Sequence, residues 1–306
     1  MANIGIGIGE LIRINREEKE LTQETLCFGI CTPGTLSKIE NGTQTPSRAT
    51  FNALMERMGL SAGVYPSFLN PVDKKAYELQ HDFNEWYAKG DYDKTEEILS
   101  KLKKVPSLDS VYEQFIQMAE ILIRQQRKEI SPAEAVKAFE RVIELFFQDF
   151  PVEKIRLAVL TKTEINVLNA YAIAHNRAGN HDIAINVLQE LIIYIESKVY
   201  DQESFAIVYT KLLYNLSKYV GMTGNDDDAV FLCEKGIRHC VRYNRYTHFA
   251  QLLYNKGYGL MNLGREDEAC KCIQEAYYIT RAMGKASGVN IERVRKYADE
   301  KGIKLL

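Results

Sequence analysis

Two segments of this chain resemble each other, with an offset of 40 residues. The first copy, LLYNLSKYVGMTGNDDDAVFLCEKGI, begins at Leu212, and the second, LLYNKGYGLMNLGREDEACKCIQEAY, begins at Leu252. A glycine and an alanine five residues later keep their places in both copies, as Gly224 and Ala229 and as Gly264 and Ala269. Apolar residues recur at helical spacing in nearly every segment, and glycine or proline separates the segments. The sequence therefore predicts an all-α protein.

The same Gly-x-x-x-x-Ala turn occurs again at Gly179 and Ala184, and a weaker copy runs from Gly90 to Thr95. A further pair of helical segments, which lacks the glycine, lies between them. Helix pairs at this spacing resemble tetratricopeptide repeats, which stack into a right-handed superhelix with a concave face. The expected extents are 74–283 for about five helix pairs and 290–300 for a terminal helix that caps the last pair.

The N-terminal part of the chain predicts a separate domain of four helices, the first of them over residues 8–19. Each of the other three follows a residue whose side-chain oxygen caps free N–H groups, namely Thr22, Thr32 and Ser47. Pro33 suits the first position of the third helix, where its missing N–H costs nothing. The predicted boundaries are 1–65 for this domain, 66–73 for a linker and 74–306 for the repeats.

Residues 21–47, LTQETLCFGICTPGTLSKIENGTQTPS, resemble the XRE-type helix-turn-helix signature. In that signature Thr-Gln opens the second helix, and Leu-Ser-x-Ile-Glu-x-Gly-x-x-x-Pro-Ser follows through the third. The resemblance implies that Gln23 donates to a DNA phosphate and that Arg16 pairs with Glu40. It implies that the side chains of the third helix read base edges in the major groove. The residues expected on that face are Thr32, Pro33, Gly34, Thr35, Ser37 and Lys38.

The charge of this domain does not by itself indicate nucleic acid. Residues 1–65 contain six Lys and Arg and seven Asp and Glu, a net charge of 6 − 7 = −1. A basic domain is the usual electrostatic sign of nucleic-acid binding. The DNA-binding prediction therefore depends on the motif, and we expect affinity to require a dimer that reaches two half-sites.

The first helix of each repeat is predicted to line the concave face, and its inward positions are rich in amides. The expected peptide-binding residues are Asn84, Arg124, Asn166, Asn169, Asn176, Lys211, Tyr214, Asn215, Lys218, Gln251, Tyr254, Asn255 and Tyr258; the same face includes Gln80, His81, Gln117 and Asn262. Asparagine has a poor helix propensity, so its recurrence needs a reason. A side-chain amide offers a donor and an acceptor, and it pairs with a peptide backbone whatever that peptide's sequence. The alternative is that some of these Asn residues join neighbouring repeats.

An XRE-type domain followed by tetratricopeptide repeats resembles the peptide-sensing regulators of Gram-positive bacteria, the group of Rgg, PlcR, PrgX, NprR and Rap. The resemblance includes the GIC-x-x-x-x-LSKIENG element at 29–42 and the two LLYN segments. It implies a quorum-sensing transcriptional regulator, a homodimer that binds double-stranded DNA and a short linear signal peptide. Two alternatives stay open: a scaffold that binds a protein partner, as Rap does, and a repressor whose repeats only dimerise.

Other classes of function have little support in the sequence. None of the spacings among the six cysteines matches a zinc or thioredoxin motif, and the five histidines lack metal-ligand spacing. We therefore expect no metal, no cofactor and no enzymatic activity. The GIGIG run at 5–9 lacks the lysine and spacing of a phosphate loop and predicts a flexible arm. No stretch has the length of an apolar membrane span or the layout of a secretory signal, which predicts a cytoplasmic protein with no membrane contact.

Overall fold

The computed structural model describes residues 7–60, 71–106, 108–147, 152–199, 201–284 and 289–305. Every regular element in these ranges is a helix. A helix-turn-helix domain is followed by tetratricopeptide-like helix pairs, as predicted. None of the helices in these ranges is both long enough and apolar enough to span a bilayer.

The four helices of the N-terminal domain, hereafter the head (residues 7–60), each begin close to the predicted residue. Thr22, Thr32 and Ser47 are N-caps, and each side chain accepts a hydrogen bond from the backbone N–H three residues later. Pro33 occupies the first turn of the third helix. These predictions are confirmed. They could be made from the sequence because each cap depends only on a few consecutive residues. The four helices are α1 Ile8–Glu18, α2 Gln23–Cys27, α3 Pro33–Glu40 and α4 Arg48–Arg57.

The start of α1 differs from the flexible arm that the GIGIG run predicts. Residues 5 and 6 lie outside the described residues, but Gly7 is the N-cap of α1 and Gly9 is part of the helix. Gly9 is buried, and a Cβ atom on it would lie 1.9 Å from the backbone oxygen of Ile39. Glycine is required here because the backbones of α1 and α3 touch.

The repeats comprise five helix pairs and a terminal helix within the described ranges. A short 3-10 helix, Val152–Leu157, lies between the second and third pairs. The helix α5 begins at Pro71, inside the segment that the sequence assigns to a linker. The pairs are α5 Pro71–Lys89 with α6 Tyr92–Lys103, α7 Ser110–Gln126 with α8 Pro132–Ile143, α9 Lys162–Arg177 with α10 His181–Lys198, α11 Gln202–Met222 with α12 Asp226–Tyr243, and α13 Phe249–Asn262 with α14 Glu266–Met283; α15 is Ile291–Glu300.

The turn glycines that define the repeat adopt the backbone conformation that glycine favours. Gly224 and Gly264 have φ values of 85° and 74°, in the left-handed region. The small residues that follow, Ala229 and Ala269, are buried at 4% and 0% exposure, so the two helices of a pair approach closely. In the pair without the glycine, Lys128 takes this conformation with φ 59°.

The chain divides into two compact units that do not follow the predicted domain boundary. The first unit contains the head together with α5 to α8 and the start of α9, and the second contains the end of α9 with α10 to α15. Their residues are 1–87, 91–170 and 198–201 in the first unit, and 88–90, 171–197 and 202–306 in the second. The head therefore has no separate unit of its own.

Candidate DNA-binding and peptide-binding sites

The helix α3, which the sequence predicts to be the recognition helix, presents the predicted face to solvent. Leu36 and Ile39 are buried in the core of the head at 0% and 1% exposure. On the opposite side Thr32, Pro33, Gly34 and Lys38 are exposed, while Thr35 and Ser37 are half-buried. The hydroxyls of Thr32 and Thr35 lie 2.9 Å apart and bond to each other, so both take part in the helix cap. Lys38 is the charged side chain of this face.

Three helices of the head meet at the carboxylate of Glu40, which is almost completely buried. Arg16 on α1 donates from Nε to Oε1 of Glu40 at 2.7 Å and from Nη2 to Oε2 at 3.0 Å. The predicted Arg16–Glu40 pair is thus confirmed, and the hydrogen bond to Glu40 raises the pKa of Arg16. Gln23 on α2 donates from Nε2 to Glu40 Oε2 at 2.7 Å. Because an amide nitrogen has two hydrogens, a phosphate contact from Gln23 stays a prediction.

A buried ion pair joins the head to the third repeat within the first unit. The guanidinium of Arg57, at the end of α4, contacts the carboxylate of Glu164 near the start of α9, and their side chains are 2% and 0% exposed. Arg57 also donates to the carbonyl oxygens of Leu26 and Phe28. Glu164 in turn accepts from the backbone N–H of Thr161 at 2.8 Å, as the acid of a capping box. Removing either partner would leave an uncompensated buried charge or break this network.

The loop between α2 and α3 is hydrogen-bonded to the second repeat of the same unit. Gln114 on α7 donates from Nε2 to the carbonyl oxygen of Gly29 at 2.7 Å, and Ser110 donates to that of Ile30. Gly29 has a φ of 71°, and a Cβ atom on it would meet the Cβ atom of Phe146 at 3.1 Å. These backbone groups therefore find their partners in the repeats.

The helix α4 has two further contacts of this kind. Asp109 accepts hydrogen bonds from the hydroxyls of Ser47 at 2.5 Å and Thr50 at 2.7 Å. Glu56 accepts from the backbone N–H of Lys162 at 2.9 Å, and burial raises the pKa of Glu56. These contacts bind α4 to the repeats. The exposed face of α3 is not covered by the described residues of the first unit.

The predicted peptide-binding residues divide between the two units. Those in the first unit differ in exposure: Asn84 and Arg124 are exposed, Asn166 is half-buried, and Asn169 is buried. Gln117 and Arg124 line the same shallow cavity of about 610 Å³ beside α6 and α8. The members in the second unit are Asn176, Lys211, Tyr214, Asn215, Lys218, Gln251, Tyr254, Asn255 and Tyr258.

Several asparagines of the second unit form hydrogen bonds within the protein. Asn255 on α13 donates to the carbonyl oxygen of Tyr214 at 3.3 Å and to Ser217 Oγ at 3.2 Å, both on α11. Asn262 donates to Asp226 Oδ1 at 3.2 Å, and Asn176 is hydrogen-bonded to His181 at the start of α10. The alternative interpretation, in which Asn residues join neighbouring repeats, therefore applies to Asn255 and Asn262.

Asn255→Ala should lower the free energy of unfolding of the second unit by about 1 kcal/mol, because it removes the hydrogen bonds between α13 and α11. Thermal melting followed by circular dichroism measures the change. Gln189→Ala, on the exposed side of α10, is the control and should change the melting temperature little. An Asn255 variant as stable as the parent would show that these hydrogen bonds contribute nothing.

Aromatic side chains lie among the amides of the second unit. The ring of Tyr214 stacks on that of His248 with 6.2 Å between the ring centroids. The ring centroid of Tyr297, on α15, lies 5.9 Å from that of Tyr254. His248 is bonded through Nδ1 to Gln251 at 2.6 Å, and burial lowers the pKa of His248 to about 4. The ring is therefore neutral at physiological pH, and it stacks on Tyr214 as an uncharged aromatic ring.

Comparison with known families agrees with this arrangement over most of the chain. The model of the RNPP family C-terminal domain matches residues 92–298, and the helix-turn-helix model matches residues 12–64. This chain is an RNPP family member. The match includes the cavity beside α7 and the aromatic and amide side chains of the second unit.

Solved structures give the same fold over nearly the whole length. PlcR from Bacillus thuringiensis, solved with the peptide PapR7 and DNA, is 17% identical, with a TM-score of 0.62 over 98% of this chain and 100% of PlcR. ComR from S. thermophilus, solved with DNA and its signalling peptide ComS, is 15% identical, with a TM-score of 0.56 over 97% of this chain and 100% of ComR. Curated protein sequences give no match.

The structure adds charged residues that the sequence analysis of this RNPP chain did not single out. The charges of Arg177 and Arg293 act on Lys218. Glu164 forms an ion pair with Arg57 of the head. Arg293 is on α15, outside the repeats, so a repeat alignment that starts from the turn glycines does not reach it. Glu164 had a local signal in the Thr161-x-x-Glu164 capping box, but its long-range partner Arg57 had none.

Proposed function

We propose that this RNPP chain is a quorum-sensing transcriptional regulator and not an enzyme. It binds operator DNA through α3 of the head and a short signal peptide through the inward-facing residues of the repeats. It acts as a cytoplasmic homodimer, since two heads on two half-sites supply the affinity that one weakly charged head lacks. Peptide binding favours one dimer arrangement through its differential affinity, and this determines whether both half-sites are reached.

The observation that carries this proposal is an RNPP C-terminal domain joined to a head whose recognition face is exposed. PlcR and ComR, which share the fold, were both solved with DNA and a peptide. A scaffold that binds only a protein partner would not need an exposed α3. The scaffold alternative is therefore not favoured.

Replacing Thr35 and Lys38 together with Ala should weaken binding to operator DNA by tenfold or more. Both side chains are on the face that would enter the major groove, and a good base contact is worth about 1–3 kcal/mol. Gel shifts with genomic fragments selected by the parent chain measure the effect. Lys104→Ala removes an exposed charge outside the head and should leave binding unchanged. An unchanged gel shift of the double variant would disprove the assignment of α3 as the recognition helix.

The signal peptide is sought among peptides encoded by short reading frames beside the gene. A ligand that binds only the native chain must raise its melting temperature, by an amount that grows with the ratio of ligand concentration to Kd. Each peptide is compared with a scrambled version of the same composition. The proposal fails if no peptide raises the melting temperature, or if the scrambled versions raise it equally.

A further inference from the structure

Three basic side chains of the second unit, here called the basic cluster, are Arg177 at the end of α9, Lys218 on α11 and Arg293 on α15. They are grouped because the charges of both arginines act on Lys218. Lys218 is half-buried, and the two arginines are exposed. Lys211 lies seven residues before Lys218 on α11. Because a helix rises about 1.5 Å per residue, the two lysines share a face about 10 Å apart.

The charges that act on Lys218 are positive. Burial lowers the pKa of Lys218, and the nearby charges of Arg177 and Arg293 lower it further. Burial also lowers the pKa of Lys211 to about 8. Lys218 therefore lies in an environment that disfavours its charged form.

The basic cluster has no carboxylate partner among the described residues of the second unit. In the described ranges no ion pair joins Arg177, Lys218 or Arg293 to an acidic side chain. Two other partly buried lysines of the same unit are paired, Lys235 with a glutamate of α10 at 2.6 Å and Lys256 with a glutamate of α12 at 2.9 Å. Lys218 therefore differs from Lys235 and Lys256 in having no acidic side chain paired with it among the described residues.

The surroundings of the basic cluster suit a ligand that is partly apolar and partly anionic. The guanidinium of Arg293 lies 5.4 Å from the ring centroid of Tyr254, and its charge also acts on Tyr214. Burial raises the pKa of Tyr214 and of Tyr254, so both hydroxyls stay protonated. Protonated hydroxyls donate hydrogen bonds to a carboxylate, and the rings provide apolar surface beside it.

Two acidic groups also act on the tyrosines beside the basic cluster. Glu300 raises the pKa of Tyr254, and Asp226 and Glu300 raise that of Tyr297. Asp226 also accepts a hydrogen bond from Asn262. Neither carboxylate is among the charges that shift Lys218.

We infer that the basic cluster binds a carboxylate of the signal peptide, so that the peptide this chain recognises is anionic at the end that enters the second unit. This inference depends on the proposed peptide-binding function and specifies the chemical class of the ligand. A carboxylate here supplies the negative partner charge that Lys218, Arg177 and Arg293 lack. Charge-assisted hydrogen bonds are about twice as strong as neutral ones. The carboxylate comes from an acidic side chain or from the C-terminus of the peptide.

The test uses an array of short peptides of random sequence, tethered through their N-termini and probed with the full chain. One copy of the array has free C-terminal carboxylates, and the other is amidated. We expect the bound peptides to be enriched in Asp and Glu, or to be lost on amidation, which distinguishes the two sources of carboxylate. Binding of neutral, amidated peptides with no such preference would overturn the inference and leave the proposed function intact. Failure of every peptide to bind would overturn both.

Two variants connect the preference to the basic cluster. Lys218→Gln and Arg293→Gln should each weaken binding of the selected anionic peptides by about tenfold, the loss expected for one charge-assisted hydrogen bond. Arg295→Gln, on the same helix and paired with Glu292 at 2.7 Å, is the matched control and should bind as the parent does. Equal binding by parent and variants would overturn the inference.

A second measurement separates ligand binding from a structural role. Without peptide, Lys218→Gln should melt no lower than the parent and slightly above it, because it removes repulsion between like charges. A residue that only supported the fold would lower the melting temperature and the peptide affinity together. Loss of stability in Lys218→Gln would therefore contradict the inference.

Discussion

Glu164→Leu is expected to lower the free energy of unfolding of the first unit by about 3–5 kcal/mol, the usual result of leaving one partner of a buried ion pair alone. Arg57 would keep its charge at 2% exposure, with two carbonyl oxygens as its remaining partners. The loss should appear as a lower urea midpoint. Hydrogen exchange should also become faster in α4 and at the start of α9, because the pair joins these two segments.

Three further variants identify the cause of this effect. Thr161→Ala removes only the hydroxyl of the α9 capping box and should cost about 1 kcal/mol. Glu140→Gln, exposed on α8, should change stability by less than about 0.5 kcal/mol. Arg57→Met combined with Glu164→Leu should recover much of the loss, because apolar side chains in both places leave no charge unpaired. If Glu164→Leu unfolds at the same urea concentration as the parent, the ion pair does not stabilise the first unit.

Gly9→Ala is expected to destabilise the head by a net of about 2 kcal/mol. The new methyl group would lie 1.9 Å from the backbone oxygen of Ile39, so α1 must move away from α3. Overpacking of this kind costs about 3 kcal/mol, and about 1 kcal/mol is regained because alanine is the better helix former. The displacement should also weaken the hydrogen bonds from Arg16 to Glu40, which join the same two helices.

Gly34→Ala is the matched control for Gly9→Ala. Gly34 is also a helical glycine of the head, but a Cβ atom there meets only the hydroxyl of Thr32 at 3.9 Å. Its urea midpoint should be unchanged or slightly raised. Equal midpoints for the Gly9 variant and the parent would mean that α1 and α3 tolerate a side chain between them.

The features that depend on consecutive residues could be predicted from the sequence. The caps at Thr32 and Ser47, the turn at Gly264 and the five helix pairs each follow from a few neighbouring residue types. The Arg16–Glu40 pair came from the XRE resemblance instead, because its partners are 24 residues apart. Local physics and a family pattern were together enough for the fold.

Contacts between distant parts of the chain could not be predicted in this way. The GIGIG run suggested a flexible arm because the backbone of Ile39, which requires Gly9 in α1, is 30 residues further along the chain. Similarly, the inward position of Asn255 was predicted from the repeat, but its hydrogen bonds to α11 depend on how two repeats pack. The unpaired charge of Lys218 becomes evident only when α15 is placed beside it.

The attachment of the head has a consequence for protein engineering. A chimera that joins a head from another regulator at residue 65 would separate Arg57 from Glu164 and Ser47 from Asp109. Each graft would then bury a charge or a polar group opposite a surface that did not evolve with it. A transplantable DNA-binding cassette from this chain should therefore extend through the start of α9, to about residue 170, where the first unit largely ends.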